Sequence, residues 1–133
     1  MLNLGIKGAQ SVTVDEERTA AYMGSGDLLV FATPAMIALI EKTASESVRP
    51  YLEMGQSTVG THLDVAHSSA TPMGMTVVCE TELTEVDRRR LVFKVRVYDS
   101  GGDVGSGTHE RFVVDSMRFM EKAELKKAAS SSR

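Results

Sequence analysis

Residues 33–50 read Thr-Pro-Ala-Met-Ile-Ala-Leu-Ile-Glu-Lys-Thr-Ala-Ser-Glu-Ser-Val-Arg-Pro, and this stretch decides the fold of the chain. A helix is predicted to begin at Thr33, which can cap it, and Pro34 fits the first helical position, where no amide donor is needed. Apolar side chains at steps of three and four residues give this helix one apolar face: Ile37, Ile40, Ala44 and Val48. Pro50 marks its predicted end.

The sequence changes from helical spacing to alternation after this helix, which is typical of strands. We predict strands over residues 58–67, 75–86, 91–98 and 108–114, with hairpin turns at residues 87–90 and 100–103. A short strand over residues 12–14 and a flexible turn, Gly24-Ser25-Gly26, precede the helix. One long helix followed by consecutive antiparallel strands predicts an α+β fold, in which a sheet wraps around the helix.

The length of 133 residues has room for one hydrophobic core. We predict a single domain over residues 1–120, then a short helix over residues 121–127 and a frayed tail over residues 128–133. The helix can cover one face of the sheet but leaves its edges open, and open edges favour pairing with a second copy. We therefore expect a homodimer or a larger homo-oligomer.

Composition excludes several classes of function. No run of about 18 apolar residues is present, so no segment is expected to span a membrane, and the N-terminus does not resemble a signal peptide. The net charge of −3 gives no basic excess for binding nucleic acid or anionic membranes. The single cysteine, Cys79, cannot form an internal disulfide, which suits the cytoplasm. Small-molecule chemistry and protein binding remain.

Two residues are candidates for acid–base chemistry. Glu41 lies on or beside the apolar face of the helix, either at the rim of the core or in a pocket; the alternative is a surface glutamate paired with Lys42 or Arg49. His67 shares strand parity with Val59, Leu63 and Val65 and is predicted to point towards the core, as a catalyst or as a satisfied core histidine.

Other polar residues give weaker signals. Thr33 is explained by helix capping, yet a helix N-terminus also stabilises a developing oxyanion. His62 and Asp64 point to the opposite side of their strand, but two ligands without a third do not predict a metal site. The Arg88-Arg89-Arg90 turn is read as a solvated hairpin tip, with coenzyme A phosphates as an alternative. Cys79 lies inside a strand with no activating partner and is read as structural.

Several motifs in order resemble fluoroacetyl-coenzyme A (CoA) thioesterases and their hotdog-fold relatives. They are Val30-Phe31-Ala32-Thr33-Pro34-Ala35-Met36 with Glu41 following, Arg49-Pro50-Tyr51-Leu52, Val59-Gly60-Thr61, His67 with Ala70-Thr71-Pro72 and Gly74, and Gly105-Ser106-Gly107-Thr108-His109-Glu110-Arg111. The resemblance covers roughly residues 28–114 with intact spacing between the motifs. It implies the hotdog fold, a curved antiparallel sheet around a central helix, and an acyl-CoA substrate without a further cofactor or metal.

The resemblance also implies a set of site residues. Thr33, Glu41 and His67 would form the catalytic set, Gly60 would bring its backbone amide close to the thioester, and Arg111 would line the acyl pocket. Glu41 would attack the carbonyl or activate a water, while Thr33 holds that carboxylate by a hydrogen bond. His67 would polarise the carbonyl or protonate the departing sulfur. Other functions hosted by the fold stay open, namely a hydratase or dehydratase and a non-catalytic acyl-CoA-binding protein.

The chain departs from this family in the loop before the helix. The fluoroacetyl specialists carry phenylalanines there, which form a hydrophobic lid over the acyl group. The loop here is Tyr22-Met23-Gly24-Ser25-Gly26-Asp27, which is small and polar at the corresponding positions. We therefore expect a general thioesterase for short or medium acyl groups.

Overall fold

The computed structural model describes residues 2–131, which form one antiparallel sheet, one long central helix and a C-terminal helix. The strands are β1 (Lys7–Thr13), β2 (Gln56–His67), β3 (Thr76–Asp87), β4 (Arg90–Asp99) and β5 (Gly102–Asp115). The helices are α1 (Ala20–Met23), α2 (Thr33–Val48) and α3 (Ser116–Ser131), with short 3₁₀ turns at Glu16–Arg18 and Arg49–Tyr51. No helix among these residues is long and apolar enough to cross a membrane.

The strand order in the sheet is β1-β3-β4-β5-β2, and all neighbours are antiparallel. Helix α2 packs on one face of this sheet, where it contacts β1 and β3 most closely. Strands β1 and β2 lie at the two edges. The arrangement confirms the predicted α+β fold, a sheet around a central helix.

The core lies between α2 and the sheet in two adjoining clusters. The larger cluster surrounds the first half of α2 and includes Phe31, Met36 and Ile40, while Phe93 and Leu83 anchor the second around Ala44 and Val48. The predicted inward face of β4 is confirmed, because Leu91, Phe93, Val95 and Val97 are all buried. In α2, Ile40, Ala44 and Val48 are buried as predicted, whereas Ile37 is only half-buried.

A β-bulge in β2 changes which residues face the helix. The register with β5 shifts between Gly60 and His62, so Thr61 is the extra residue. Gly60 pairs with the buried Arg111, whereas Val59 pairs with the exposed Phe112. Side chains directly opposite each other share a face of the sheet. The prediction that Val59 shares the face of His67 is therefore wrong, because the bulge reverses the alternation between them.

Strand and helix ends differ from the prediction at several places. Strand β5 begins at Gly102, before the predicted start at residue 108. Its glycines allow close approach of β2, since a Cβ at Gly107 would lie 2.0 Å from the Asp64 carbonyl oxygen. Strand β1 is longer than predicted, and the loop before α2 contains the unpredicted helix α1. Helix α3 begins at Ser116 and runs to Ser131, through part of the predicted tail; residues 132–133 lie outside the described part.

Candidate active site

Thr33 and His67 meet at the start of helix α2. The Thr33 hydroxyl and Nδ1 of His67 are joined by a 2.8 Å hydrogen bond, across 34 residues of sequence. Helix α2 begins at Thr33, Ala32 occupies the cap position, and no side chain caps the helix. The predicted capping role of Thr33 is therefore wrong, because its hydroxyl binds the histidine at the end of β2.

His67 lies beside a small pocket of about 240 Å³, which Thr33, Phe31 and Ala20 also line. Burial lowers the pKa of His67 below its ordinary value of 6.5, and the backbone of Ser69 opposes this shift. The ring is therefore neutral at physiological pH. Its Nε2 is buried and has no hydrogen-bond partner within residues 2–131. An unsatisfied buried polar atom costs about 1–3 kcal/mol, and the other such side-chain atom within these residues is Thr81 Oγ1.

Glu41 lies two turns further along α2, with its carboxylate against Gly60. A Cβ at Gly60 would lie 2.5 Å from Glu41 Oε2, so only glycine leaves room for the carboxylate there. The Glu41 side chain is 43% exposed and lies at the rim of the core, 3.6 Å from Nη1 of Arg111. Its partner is thus Arg111, and not Lys42 or Arg49 as the surface alternative proposed.

Arg111 is buried and held in place by hydrogen bonds from its whole guanidinium group. Its Nε donates to the Thr58 hydroxyl and its Nη2 to the Thr58 carbonyl, both at 2.9 Å. Its Nη1 lies 3.2 Å from Nε2 of His109. Burial lowers the pKa of Arg111, and the charge of Glu41 opposes this shift. The guanidinium is therefore a fixed positive charge beneath the Glu41 carboxylate.

The five predicted site residues thus form two groups, one at the start of helix α2 and the other two turns further along it. Thr33 and His67 form one group, and Glu41, Gly60 and Arg111 form the other. Eight helical residues separate Thr33 from Glu41, which is about 12 Å along the axis. Within a single chain the Thr33 hydroxyl binds His67, so the predicted hydrogen bond from Thr33 to Glu41 is wrong for the isolated chain.

The remaining candidates have structural partners. Arg90 forms ion pairs with Glu85 and Glu110, and Arg89 donates to the Val113 carbonyl, so two of the three turn arginines are engaged within the chain. Cys79 is buried, and burial raises the pKa of its thiol to about 11, in keeping with a structural role. Among residues 2–131, no group of three or more His, Cys, Asp or Glu side chains could hold a metal ion.

Sequence reasoning did not single out two residues of the Glu41 group, Thr58 and His109. Both are buried polar residues. The alternation of β5 gives a partial signal, because His109 shares the parity of Arg111 and Val113. Their partners depend on the pairing of β2 with β5, which local spacing does not encode.

A comparison with known proteins places this arrangement in a family. The model of the family FlK, fluoroacetyl-CoA-specific thioesterase, matches residues 14–117. The fluoroacetyl-CoA thioesterase of Streptantibioticus cattleyicolor is 42% identical over 100 residues, which are 75% of this chain and 72% of that enzyme. The chain belongs to the fluoroacetyl-CoA-specific thioesterase family. This membership confirms the predicted resemblance and the predicted enzyme class, an acyl-CoA thioester hydrolase.

Solved structures of the family agree with the fold. A structure of the fluoroacetyl-CoA thioesterase FlK superimposes with a TM-score of 0.89 at 33% identity, covering 95% of this chain and 98% of that one. A Thermus thermophilus protein described as a thioesterase superfamily member gives a TM-score of 0.90 at 21% identity, covering 98% and 97%. The second likeness shows the fold alone. Together they confirm the predicted hotdog fold for this family member.

Proposed function

We propose that this thioesterase hydrolyses short or medium acyl-CoA to the free acid and CoA, with Thr33, Glu41 and His67 as its catalytic set. The observation that carries the proposal is the carboxylate of Glu41 seated on Gly60, on the same helix whose first residue is hydrogen-bonded to His67. A carboxylate at the rim of a core, beside a glycine amide and a fixed guanidinium, suits attack on a carbonyl or activation of a water.

The chemistry divides between the two groups. Glu41 either attacks the carbonyl directly, which expels the CoA thiolate and leaves a mixed anhydride that water then hydrolyses to the free acid, or deprotonates a water that attacks the carbonyl in its place. The amide of Gly60 or the amides of the first turn of α2 receive the oxyanion. His67, oriented by Thr33, polarises the carbonyl in its neutral form, or passes to the departing sulfur the proton that the attacking water releases. Arg111 holds Glu41 and borders the acyl group. The reaction draws on no cofactor or metal beyond the CoA of the substrate.

The separation of the two groups supports a site completed by a second chain. Strand β2 is at the edge of the sheet, where unpaired backbone groups favour a further strand. We infer an antiparallel pairing of β2 with its copy centred on Asp64, because this centre sets Leu63 opposite Val65 of the second copy, and both side chains pack against the core on the same face. Because the bulge adds one residue, the same pairing brings Gly60 opposite His67 of that copy. Glu41 of one chain then faces Thr33 and His67 of the other.

The enzyme would thus act as a homodimer or a larger homo-oligomer, with two shared sites for each pair of chains, on an acyl-CoA substrate in the cytoplasm. The cytoplasmic location is supported by the single cysteine, which is buried and unpaired and does not require an oxidising compartment.

A panel of acyl-CoA substrates tests the activity. Purified protein is mixed with acetyl-, butyryl- and hexanoyl-CoA, and free thiol is measured, with Glu41→Gln protein as the matched control. We expect thiol release well above the control for at least one substrate. Binding of acyl-CoA without thiol release from any of them would identify a non-catalytic binder. In a parallel assay with an enoyl-CoA, water addition without thiol release would identify a hydratase.

A further inference from the structure

We propose that His109 is a positioning residue for hydrolysis: its ring holds Arg111 and the β2 bulge in the arrangement that seats Glu41 on Gly60. His109 touches neither the pocket beside Thr33 nor solvent, since its side chain is fully buried. It acts through other residues and not on the substrate. The inference rests on the role of Glu41 in the proposed function, and it concerns how that role is maintained.

One ring nitrogen of His109 holds the bulge. Nδ1 lies 2.8 Å from the carbonyl oxygen of His62, and a carbonyl accepts, so Nδ1 carries the proton and donates. His62 directly follows the extra residue of the bulge, Thr61. This hydrogen bond ties the irregular backbone of β2 to β5 at the point where the alternation reverses. The reversal is what turns Gly60 towards helix α2.

The other ring nitrogen orients Arg111. In the neutral ring Nε2 is free to accept, and Nη1 of Arg111 donates to it at 3.2 Å. The same Nη1 is the atom nearest to the Glu41 carboxylate, at 3.6 Å. Thr58 accepts hydrogen bonds from the other two nitrogens of Arg111, Nε and Nη2. With the hydrogen bond to His109, all three nitrogens are held, so the guanidinium does not rotate towards Glu41. A freely rotating guanidinium would draw the carboxylate away from the thioester carbonyl.

The ring of His109 also borders the position of Gly60. A Cβ at Gly60 would lie 3.3 Å from Cε1 of His109 and 3.3 Å from Nη1 of Arg111, in addition to its contact with Glu41. Phe93 stacks against the opposite side, with ring centroids 6.4 Å apart and an interplanar angle of 30°. His109 is therefore fixed in position, and its two ring hydrogen bonds go to His62 in the bulge beside Gly60 and to Arg111 beside Glu41.

Two conservative variants separate the two hydrogen bonds. In His109→Asn the side-chain amide takes the place of Nδ1 and can still donate to the His62 carbonyl, but it does not reach Arg111. In His109→Gln the amide oxygen takes the place of Nε2 and can still accept from Arg111, but the donor to His62 is lost. His109→Leu removes both. Val113→Ala is the matched control, since Val113 is buried on the same face of β5 and makes no side-chain hydrogen bond.

Steady-state kinetics on the folded fraction of each variant gives the test. We expect His109→Leu to lower kcat by about a hundredfold with little change in KM, the size of effect that a misplacement of about 1 Å produces. Asn and Gln should each restore part of this loss. Nitrogen NMR of the unmodified protein should show His109 as the neutral tautomer with the proton on Nδ1, a result that does not depend on activity.

Failure of the proposed function and failure of the role of His109 give different experimental results. If the unmodified protein releases no thiol, the proposed function fails while the tautomer measurement still reports on His109. If the unmodified protein is active and the His109 variants lose no more kcat per folded molecule than Val113→Ala, His109 is only a core residue and the inference is overturned. A ring protonated on Nε2 alone would overturn it as well.

Discussion

The carboxylate of Glu41 occupies the space that a side chain at Gly60 would fill, because a Cβ built there would lie 2.5 Å from Glu41 Oε2. These two residues come from α2 and from the bulged part of β2, and Arg111 of β5 lies against both. Helix α2, strand β2 and strand β5 thus meet at the Glu41 carboxylate. The contact between Glu41 and Gly60 can be tested directly by mutation.

Gly60→Ala should abolish most hydrolysis without unfolding the protein. The methyl group displaces the end of the partly exposed Glu41 side chain and also lies 3.3 Å from the buried side chains of Arg111 and His109, so the free energy of unfolding should fall by about 1–3 kcal/mol. Moving the carboxylate by about 1 Å should lower kcat by about a hundredfold. Gly101→Ala is the control, since its Cβ would also approach a carboxylate oxygen, that of Asp99 at 3.2 Å, in a hairpin turn. Equal activity of the two variants would contradict a catalytic role for the Gly60–Glu41 contact.

Glu41→Gln should retain the fold and lower hydrolysis by at least about a hundredfold, the scale of an acid–base or nucleophilic role. The amide keeps the shape of the side chain but neither attacks a carbonyl nor deprotonates a water. Thiol release and the circular dichroism spectrum are measured together. Lys42→Gln, at the next position and on the exposed side of α2, should leave turnover unchanged. Near-normal turnover by folded Glu41→Gln protein would remove Glu41 from the reaction.

Mixing two inactive variants should restore activity if the site is shared between chains. Thr33→Ala and Glu41→Gln lie in different groups, so a heterodimer of the two has one site with both defects and one site with none. Random reassortment makes half of the dimers mixed, which gives about a quarter of the original activity. Light scattering should also give at least twice the chain mass of 14.4 kDa. A mixture as inactive as its components would place the whole site within one chain.

Discrimination between fluoroacetyl- and acetyl-CoA should be weak. The loop before α2 carries Gly24, Ser25, Gly26 and Asp27, and Tyr22 beside it is 61% exposed. One missing group in a hydrophobic pocket changes discrimination by about 1–3 kcal/mol, or roughly 10- to 200-fold, so hydrolysis should persist while selectivity falls. We expect the kcat/KM values of the two substrates to differ mainly by their intrinsic reactivities, and butyryl- and hexanoyl-CoA to be accepted.

The matched variant for selectivity is Asp27→Phe, which returns an aromatic side chain to this loop. It should raise the ratio of kcat/KM for fluoroacetyl- over acetyl-CoA. A strong preference for fluoroacetyl-CoA in the unmodified protein, beyond its intrinsic reactivity, would show that another part of the chain supplies the selectivity.

The free energy of unfolding should decrease as the pH falls below about 6.5. Burial lowers the pKa of both His67 and His109 in the folded state, so the unfolded chain binds these protons first. Their contribution to stability is complete above the unfolded pKa and is lost progressively as the pH falls towards the folded values. Urea denaturation at several pH values between 5 and 8 measures the slope. His109→Gln should make it shallower, and an unchanged slope would contradict the assignment.

The sequence predicted the central helix and the order of the strands, and it indicated the residues that we propose for the site. Helix α2 and the inward face of β4 can be predicted from the spacing of apolar residues. A helix that is buried on one side carries apolar side chains every three to four residues, and a strand that is buried on one side carries them at every second residue. Glu41 and His67 stood out singly, each as a polar residue beside an apolar face. The spacing of the motifs, not the chemistry of any one residue, indicated the family.

Only the tertiary structure decided which residues act together. The sequence predicts Thr33 as a helix cap, but its hydroxyl is hydrogen-bonded to His67 at the end of β2. The bulge at Thr61 places Gly60, and not Val59, on the face of β2 that meets Glu41. The positioning role that we propose for His109 rests on its hydrogen bonds with His62 and Arg111. These contacts join residues far apart in sequence, through the register of paired strands. A periodic pattern indicates which side of a strand is buried, but one extra residue in a bulge exchanges the buried and exposed sides. Which residue lies opposite on the neighbouring strand depends on the packing of the whole chain.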